Sequence, residues 1–303
     1  MSRRGWPDQS QQYLIRSGRL PMPFIQSPAK VLLTGANGYF AVHAIKDLLD
    51  RGYTVVGTVR SDSKGEELIK LFPLHADKLT YAVVPDILKY LKRGAFDQVI
   101  REGNYDAIAH AASPVVLPSG TIEDFVRPAV DGTVGILESV KSYGYSKILA
   151  EKAVWKWWSE NEKHVDWDLV TINPYQLSST NAVLSAITTS QEDPTQKPWP
   201  IVHVRDVAAI HSAILERKEH LGKRRVITVG SEPSWQDMLD DTLADFSGVP
   251  KGNPGVGTTS DTGSPSWDTS FARELLGRDF IGTKESLVET EAYYRKKGWS
   301  FFV

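Results

Sequence analysis

The chain has 303 residues, with 35 Lys and Arg against 37 Asp and Glu, for a formal charge of −2. At ~100–200 residues per domain this is one large domain or two modest ones, and 41% hydrophobic with 24% charged residues is a globular composition. No segment approaches the ~18 consecutive apolar residues of a membrane span. A near-balanced charge without a dense basic tract argues against nucleic-acid and anionic-membrane partners, and zero Cys removes disulfides, thiolate nucleophiles and Cys-based zinc sites.

Residues 1–28 carry Arg3, Arg4, Arg16 and Arg19 against one acid, Asp8, with no sustained hydrophobic period. They read as a disordered extension, with an Arg-rich presequence as the alternative. From Ala29 strands and helices alternate. Ala29–Thr34 is a short apolar run ending at a glycine, the pattern of a buried parallel strand. Phe40–Asp50 has helical spacing and closes on Arg51-Gly52. Thr54–Arg60 is β-branched and strand-like, and Leu79–Pro85 and Tyr105–Ala111 are further strands around a helical Ala95–Glu102. Helices follow over Ile122–Tyr143 and Ser146–Glu160, then a strand over Asp168–Ile172.

Such alternation means a parallel sheet with right-handed crossovers, an α/β Rossmann-like fold with helices on both faces. In the last third, Arg225–Val229 is a strand and Trp235–Phe246 a helix. Gly248–Ser266 is a Gly-, Pro-, Ser- and Thr-rich stretch long enough for a lid or substrate loop. The expected division is a dinucleotide-binding domain over 29–177, to which 199–230 return. A smaller C-terminal substrate-binding part then comes from 178–198 and 231–303.

Thr34-Gly35-Ala36-Asn37-Gly38-Tyr39-Phe40-Ala41 lies between the first strand and the first helix. Gly35 permits the tight turn, Gly38 lets the backbone approach a pyrophosphate, and Ala41 keeps helix and strand close. The helix N-terminus then offers N–H groups and a positive dipole end to the anion. The next strand ends in Arg60, with Lys64 four residues on, where a free ribose 2′-OH is met by an acid. A basic pair there suits a 2′-phosphate and favours NADP(H), the plainer reading being a solvated turn.

These residues, with the downstream stretches HAASPV, ILESVKSYG, YSKILAEKAVW, DLVTINP and VHVRDVAAIHSAI, resemble the extended short-chain dehydrogenase/reductases of the NAD-dependent epimerase/dehydratase superfamily. The nearest branch holds dihydroflavonol reductases, cinnamoyl-CoA reductases and fungal aldehyde/ketone reductases, and the likeness covers most of Lys30–Leu276 in order. It implies that Asp86 and Ile87 flank the adenine, that Ala111, Ala112 and Ser113 lie beneath ribose and nicotinamide, and that Pro174 completes the cofactor set. It also implies a Tyr-x-x-x-Lys pair, here Tyr143 and Lys147. On a helix these share a face. The ammonium would favour the phenolate, so that Tyr143 exchanges a proton near neutral pH.

The implied activity is NADPH-dependent reduction of an aldehyde or ketone to an alcohol, by a cytoplasmic monomer or homodimer without a metal. A non-catalytic NADP(H)-binding protein is the alternative, and a sugar-nucleotide epimerase a weaker third.

The sequence departs from the family at two junctions. Thirty positions separate Ser113 from Tyr143, too few for a crossover helix, a strand and the active-site loop, so a fifth strand and its Ser are expected to be absent. Ser142 and Ser146 lie on the wrong element to replace that Ser. Tyr143 can equally end the preceding helix, with Gly144 as its left-handed cap. After Pro174, Tyr175-Gln176 runs straight into Leu177-Ser178-Ser179-Thr180-Asn181 with no substrate loop. Without a fifth strand, Asp168–Ile172 is expected to pair directly beside Tyr105–Ala111.

Of the remaining candidates, Asp206 is expected to cap a helix, and His110, His203 and His211 to be structural. Trp155, Trp157 and Trp158 combine core packing with surface exposure, or make a dimer contact.

Overall fold

The computed structural model describes residues 25–85, 95–112, 151–165, 167–177, 200–219, 221–243, 251–253, 267–296 and 298. Its first strand, β1 (Lys30–Thr34), buries Val31, Leu32 and Leu33 completely. A strand apolar on both faces needs cover on both, and the crossovers supply it. Strand β1 pairs in parallel with β2 (Thr54–Val59) on one side and β4 (Ala107–His110) on the other. β3 (Leu79–Val83) adds outside β2, giving the order β3-β2-β1-β4.

Helix α1 (Tyr39–Asp50) joins β1 to β2 and buries Ala41, Ala44, Ile45, Leu48 and Leu49, one face at helical spacing. Helix α2 (Asp62–Leu71) joins β2 to β3, and α3 (Asp97–Gly103) ends on a left-handed Asn104 before β4. The chain reverses its lateral direction between β1 and β4. A crevice therefore opens there at the carboxyl ends of the strands.

The second region starts with α4, helical over 151–161. Strand β5 (Leu169–Pro174) pairs in parallel with β8 (Lys223–Thr228) along its whole length, from Leu169 opposite Lys223 to Pro174 opposite Thr228. Between them β6 (Gln176–Leu177) pairs with β7 (Ile201–Val202), and α5 (Val204–Leu215) packs on α1 with Phe40 and His211 at 4.6 Å between ring centres. Helices α6 (Trp235–Leu243) and α8 (Thr283–Lys296) pack on each other, and α7 (Ser270–Leu276) lies on α5 and β8. Of the long Gly- and Pro-rich stretch, Lys251 and Asn253 are pinned to α6 through the Gln236 amide, at 3.1 and 2.6 Å.

Three expectations are corrected. The strand after Asp168 does not pair beside β4: among the described residues β5 bonds to β8, and Ile108 of β4 is 52% exposed. The observed partner of β5 is β8. All six β5 residues are in register with β8, and Asp168 Oδ2 fixes the start of the pair by accepting from Leu221 N at 2.8 Å.

Asp206 does not cap α5. The cap is His203, whose Nδ1 accepts from Arg205 N at 3.1 Å, while Asp206 is fully buried and bonds Ile281 N and Arg278. Residues 25–28, expected to belong to the extension, are tied down: Ile25 N donates to Leu215 O, and Tyr53 Oη donates to Ile25 O.

Candidate active site

The loop after β1 turns at Gly35, whose φ of +68° is left-handed; a Cβ there would also stand 2.8 Å from Ala112 Cα. Both constraints require glycine. Thr58 of β2 holds the loop from the other side, its Oγ1 accepting from Gly35 N at 3.1 Å and its carbonyl from Ala36 N at 2.9 Å. Gly38 is the N-cap of α1, with no side-chain cap and no acid in the first turn. The N–H groups that an α-helix leaves open at its start thus face the crevice without a competing side chain.

Gly35, Asn37, Gly38, Thr58, Arg60, Lys64 and Ala112 are among the residues lining a cleft of about 370 Å³. Ala36 is buried rather than lining it, Tyr39 is exposed against His43, and Phe40 turns its ring into the core on His211. Only the backbone of Phe40 is therefore free to serve an anion. No carboxylate pairs with Arg60 among the described residues, whereas Lys64 is bonded to Glu67 at 2.6 Å. The residues present fit a dinucleotide with an extra phosphate beside β2, because Gly35 and Gly38 offer the cleft their backbone alone and Arg60 lines it with no carboxylate partner among the described residues.

Ala111 and Ala112 close the crevice at the end of β4, with Ala112 N donating to Thr34 Oγ1 at 3.1 Å. Pro174 ends β5. Asp86, Ile87, Ser113, Tyr143 and Lys147 lie outside the described residues. Of the Trp cluster, Trp158 is buried against Trp167, Trp157 stacks on Trp167 at 5.7 Å in the open, and Trp155 bonds Glu151.

Several contributors were not singled out by sequence. Thr58, Val59 and Val84 line the cleft, and β-branched strand residues carry no mark that separates lining from core. Just past β5, Tyr175 meets Trp267 at 5.7 Å, and Trp267 Nε1 donates to Glu232 at 2.6 Å. Glu151 of α4 accepts from Trp155, Thr171, Asn173 and Arg225. Burial pushes the Glu151 carboxyl up, but the hydrogen bonds from Arg225 and Trp155 outweigh it and hold the group below its usual range.

Residues 31–150 match the NAD dependent epimerase/dehydratase family. A putative uncharacterized oxidoreductase of Saccharomyces cerevisiae is 31% identical over 88% of this chain and 98% of its own length. That alignment runs over 342 residues, longer than the present 303, so the relative carries residues without a counterpart here. A ketoreductase of Aspergillus niger is 30% identical over 83% of this chain and 93% of its own. Among solved structures, the yeast methylglyoxal/isovaleraldehyde reductase in complex with NADPH superposes with a TM-score of 0.68 at 28% identity, covering 89% of this chain and 99% of that one.

Proposed function

This chain belongs to the NAD dependent epimerase/dehydratase family of extended short-chain reductases, and from that premise we propose how it reduces the carbonyl of a small aldehyde or ketone with NADPH. The observation that carries the reading is the glycine-built cleft lined by Arg60, whose guanidinium meets no carboxylate among the described residues. The backbone of Gly35, Ala36, Asn37 and Gly38, with the first-turn amides of Tyr39 and Phe40, holds the pyrophosphate. Arg60 forks onto the 2′-phosphate and Lys64 adds a second positive charge. Asp86 and Ile87 flank the adenine, and Ala111, Ala112, Ser113 and Pro174 surround the ribose and nicotinamide.

NADPH, when bound, supplies the hydride that goes to the carbonyl carbon. Tyr143 gives its phenolic proton to the carbonyl oxygen, and Lys147 lowers the cost of the phenolate left behind. Tyr175, 46% exposed just past β5, and Trp267 against it form an aromatic wall on the substrate side. The residues without a counterpart here are read as including the fifth strand and its Ser. Losing one donor to a developing oxyanion costs ~10²–10³ in kcat, so turnover is below that of longer relatives.

The domain division is the one read from sequence, 29–177 with 199–230 against 178–198 and 231–303, and the protein acts in the cytoplasm as a monomer or homodimer. Among the described residues no helix is long and apolar enough to cross a membrane. The test is NADPH oxidation against a panel of aldehydes and ketones, beside Tyr143→Phe. Loss of ~10²–10⁴ in kcat is expected for that variant, and turnover that survives it removes Tyr143 from the role.

A further inference from the structure

Past the end of β5, side chains from three segments meet. Tyr175 follows Pro174 directly, and its N–H donates to Thr228 O at 3.3 Å, which seats it at the carboxyl ends of β5 and β8. Trp267, just ahead of α7, brings its ring centre to 5.7 Å from that of Tyr175, with the planes inclined at 55°. Rings at that angle form a corner rather than a stack. Glu232 stands at the indole edge, its Oε1 accepting from Trp267 Nε1 at 2.6 Å.

Each segment is fixed by contacts of its own. Ser231 bridges Ile201 of β7 through backbone bonds of 2.8 and 3.1 Å, and its hydroxyl meets that of Thr283 at 2.8 Å. Past Glu232, Ser234 N donates to Asp237 Oδ2 at 2.8 Å, and Asp237 N donates back to Ser234 Oγ at 3.1 Å. Asp268 accepts from both the N–H and the hydroxyl of Ser270, which turns the chain after Trp267 into α7. The corner is therefore held in shape before any ligand arrives.

Packing alone does not account for its composition. The Tyr175 ring is exposed, so an aromatic surface stands open at the strand ends. Glu232 has the indole N–H as its partner, and no cation pairs with it among the described residues. Indole and phenol rings are negative on their faces, and a carboxylate beside them adds a full charge. Such a set attracts an organic cation and gains little from a neutral group of the same shape. Ligands of α/β sheets enter at the carboxyl ends of the strands, where this corner lies.

We propose that Tyr175, Trp267 and Glu232 form a subsite for an alkylammonium group, so that the protein selects carbonyl compounds carrying a positive charge. The proposal rests on the reading of the chain as an NADPH-dependent carbonyl reductase and narrows its substrate class. The ammonium is unchanged by the reaction: the carbonyl carbon takes hydride, its oxygen takes a proton, and the products are the ammonio-alcohol and NADP+.

Wild type, Glu232→Gln, Trp267→Leu and Tyr175→Leu are compared in two measurements. Saturation-transfer NMR reads contact between the protein and the methyl protons of tetramethylammonium, without turnover. Kinetics give kcat/KM for trimethylammonio-acetaldehyde and trimethylammonio-butyraldehyde, each beside its uncharged tert-butyl isostere. Glu232→Gln leaves an oxygen to accept from the indole and removes the charge. The ratio of charged to uncharged kcat/KM, divided by the wild-type ratio, cancels aldehyde hydration and any general loss of activity. That quotient is expected to fall to between about one-fifth and one-thirtieth in Glu232→Gln and Trp267→Leu, for at least one chain length. Transfer to tetramethylammonium should weaken in the same variants, and Tyr175→Leu supplies the reading if either of them fails to fold.

A quotient that stays near one in the folded variants overturns the proposal. So does a wild type that shows no transfer to tetramethylammonium, or transfer that persists undiminished in the variants. If wild type reduces none of the aldehydes yet shows transfer that the variants lose, the subsite stands and the reductase reading beneath it fails.

Discussion

At the phosphate loop the working groups are main-chain amides and two absent side chains, Gly35 and Gly38, all within one strand–turn–helix. At the β5 edge they are side chains drawn from α4, β5 and β8, with Arg225 reaching a carboxylate 74 positions earlier in the chain. The first design is local, and strain or steric bulk breaks it. The second is assembled by the tertiary fold, and charge or protonation breaks it. Phe40 of α1 against His211 of α5 is part of the seam that joins the two regions.

The sharpest way to break the contrast is Gly35→Val. It sets a β-branched residue at φ +68° with its Cβ 2.8 Å from Ala112 Cα. Backbone strain of about 1–3 kcal/mol and overpacking of about 1–3 kcal/mol add at that point. Urea unfolding should show a loss of about 3 kcal/mol, and fluorescence titration no NADPH saturation. Unchanged binding would mean the anion is not seated on this turn.

Lowering the pH probes the seam. Burial pushes His211 down to about 4, and burial with the nearby Arg205 guanidinium pushes His203 down to about 4. The unfolded chain titrates near ~6.5. Between those values the unfolded state binds protons that the folded state refuses, so stability is full above ~6.5 and falls as pH drops toward 4. About 2 kcal/mol per histidine is expected between pH 7 and pH 5. His211→Leu should halve the drop measured by urea midpoints at the two pH values. An undiminished drop would place the titration elsewhere.

Two cations, Arg60 and Lys64, line the cofactor cleft, and the two are unequal. Arg60→Ala removes a charge-assisted contact of about 1.5–3 kcal/mol, raising NADPH Kd roughly 10- to 100-fold with NADH unaffected. Lys64 is already engaged by Glu67. Its removal should cost under about 1 kcal/mol, and less still at high salt. Equal losses in the two titrations would show that Lys64 leaves Glu67 for the ligand.

What the sequence reveals follows the same division. Gly35, Gly38, Arg60 and the order β1-α1-β2 are legible because glycine spacing, alternation and a basic strand end are local signals. The Glu151 clamp is not, since a glutamate on an amphipathic helix looks the same whether it faces water or Arg225. The pairing of β5 is not legible for a related reason: an apolar run carries no mark of which neighbour completes its ladder. Asp206 looked like a cap because acids favour that position. Here a histidine three residues earlier takes it and leaves the carboxylate to bind Ile281 and Arg278.

The strap at residues 25–28 decides where this nucleotide-binding half can be cut and grafted. Tyr53 is completely buried and spends its hydroxyl on Ile25 O, and the Ile25 amide closes the end of α5 at Leu215 O. A fusion joined ahead of Ile25 keeps both plugs in place. One trimmed to Ala29 uncorks a phenol from below the first crossover and leaves a helix carbonyl open, so the functional border of this module lies several residues upstream of β1.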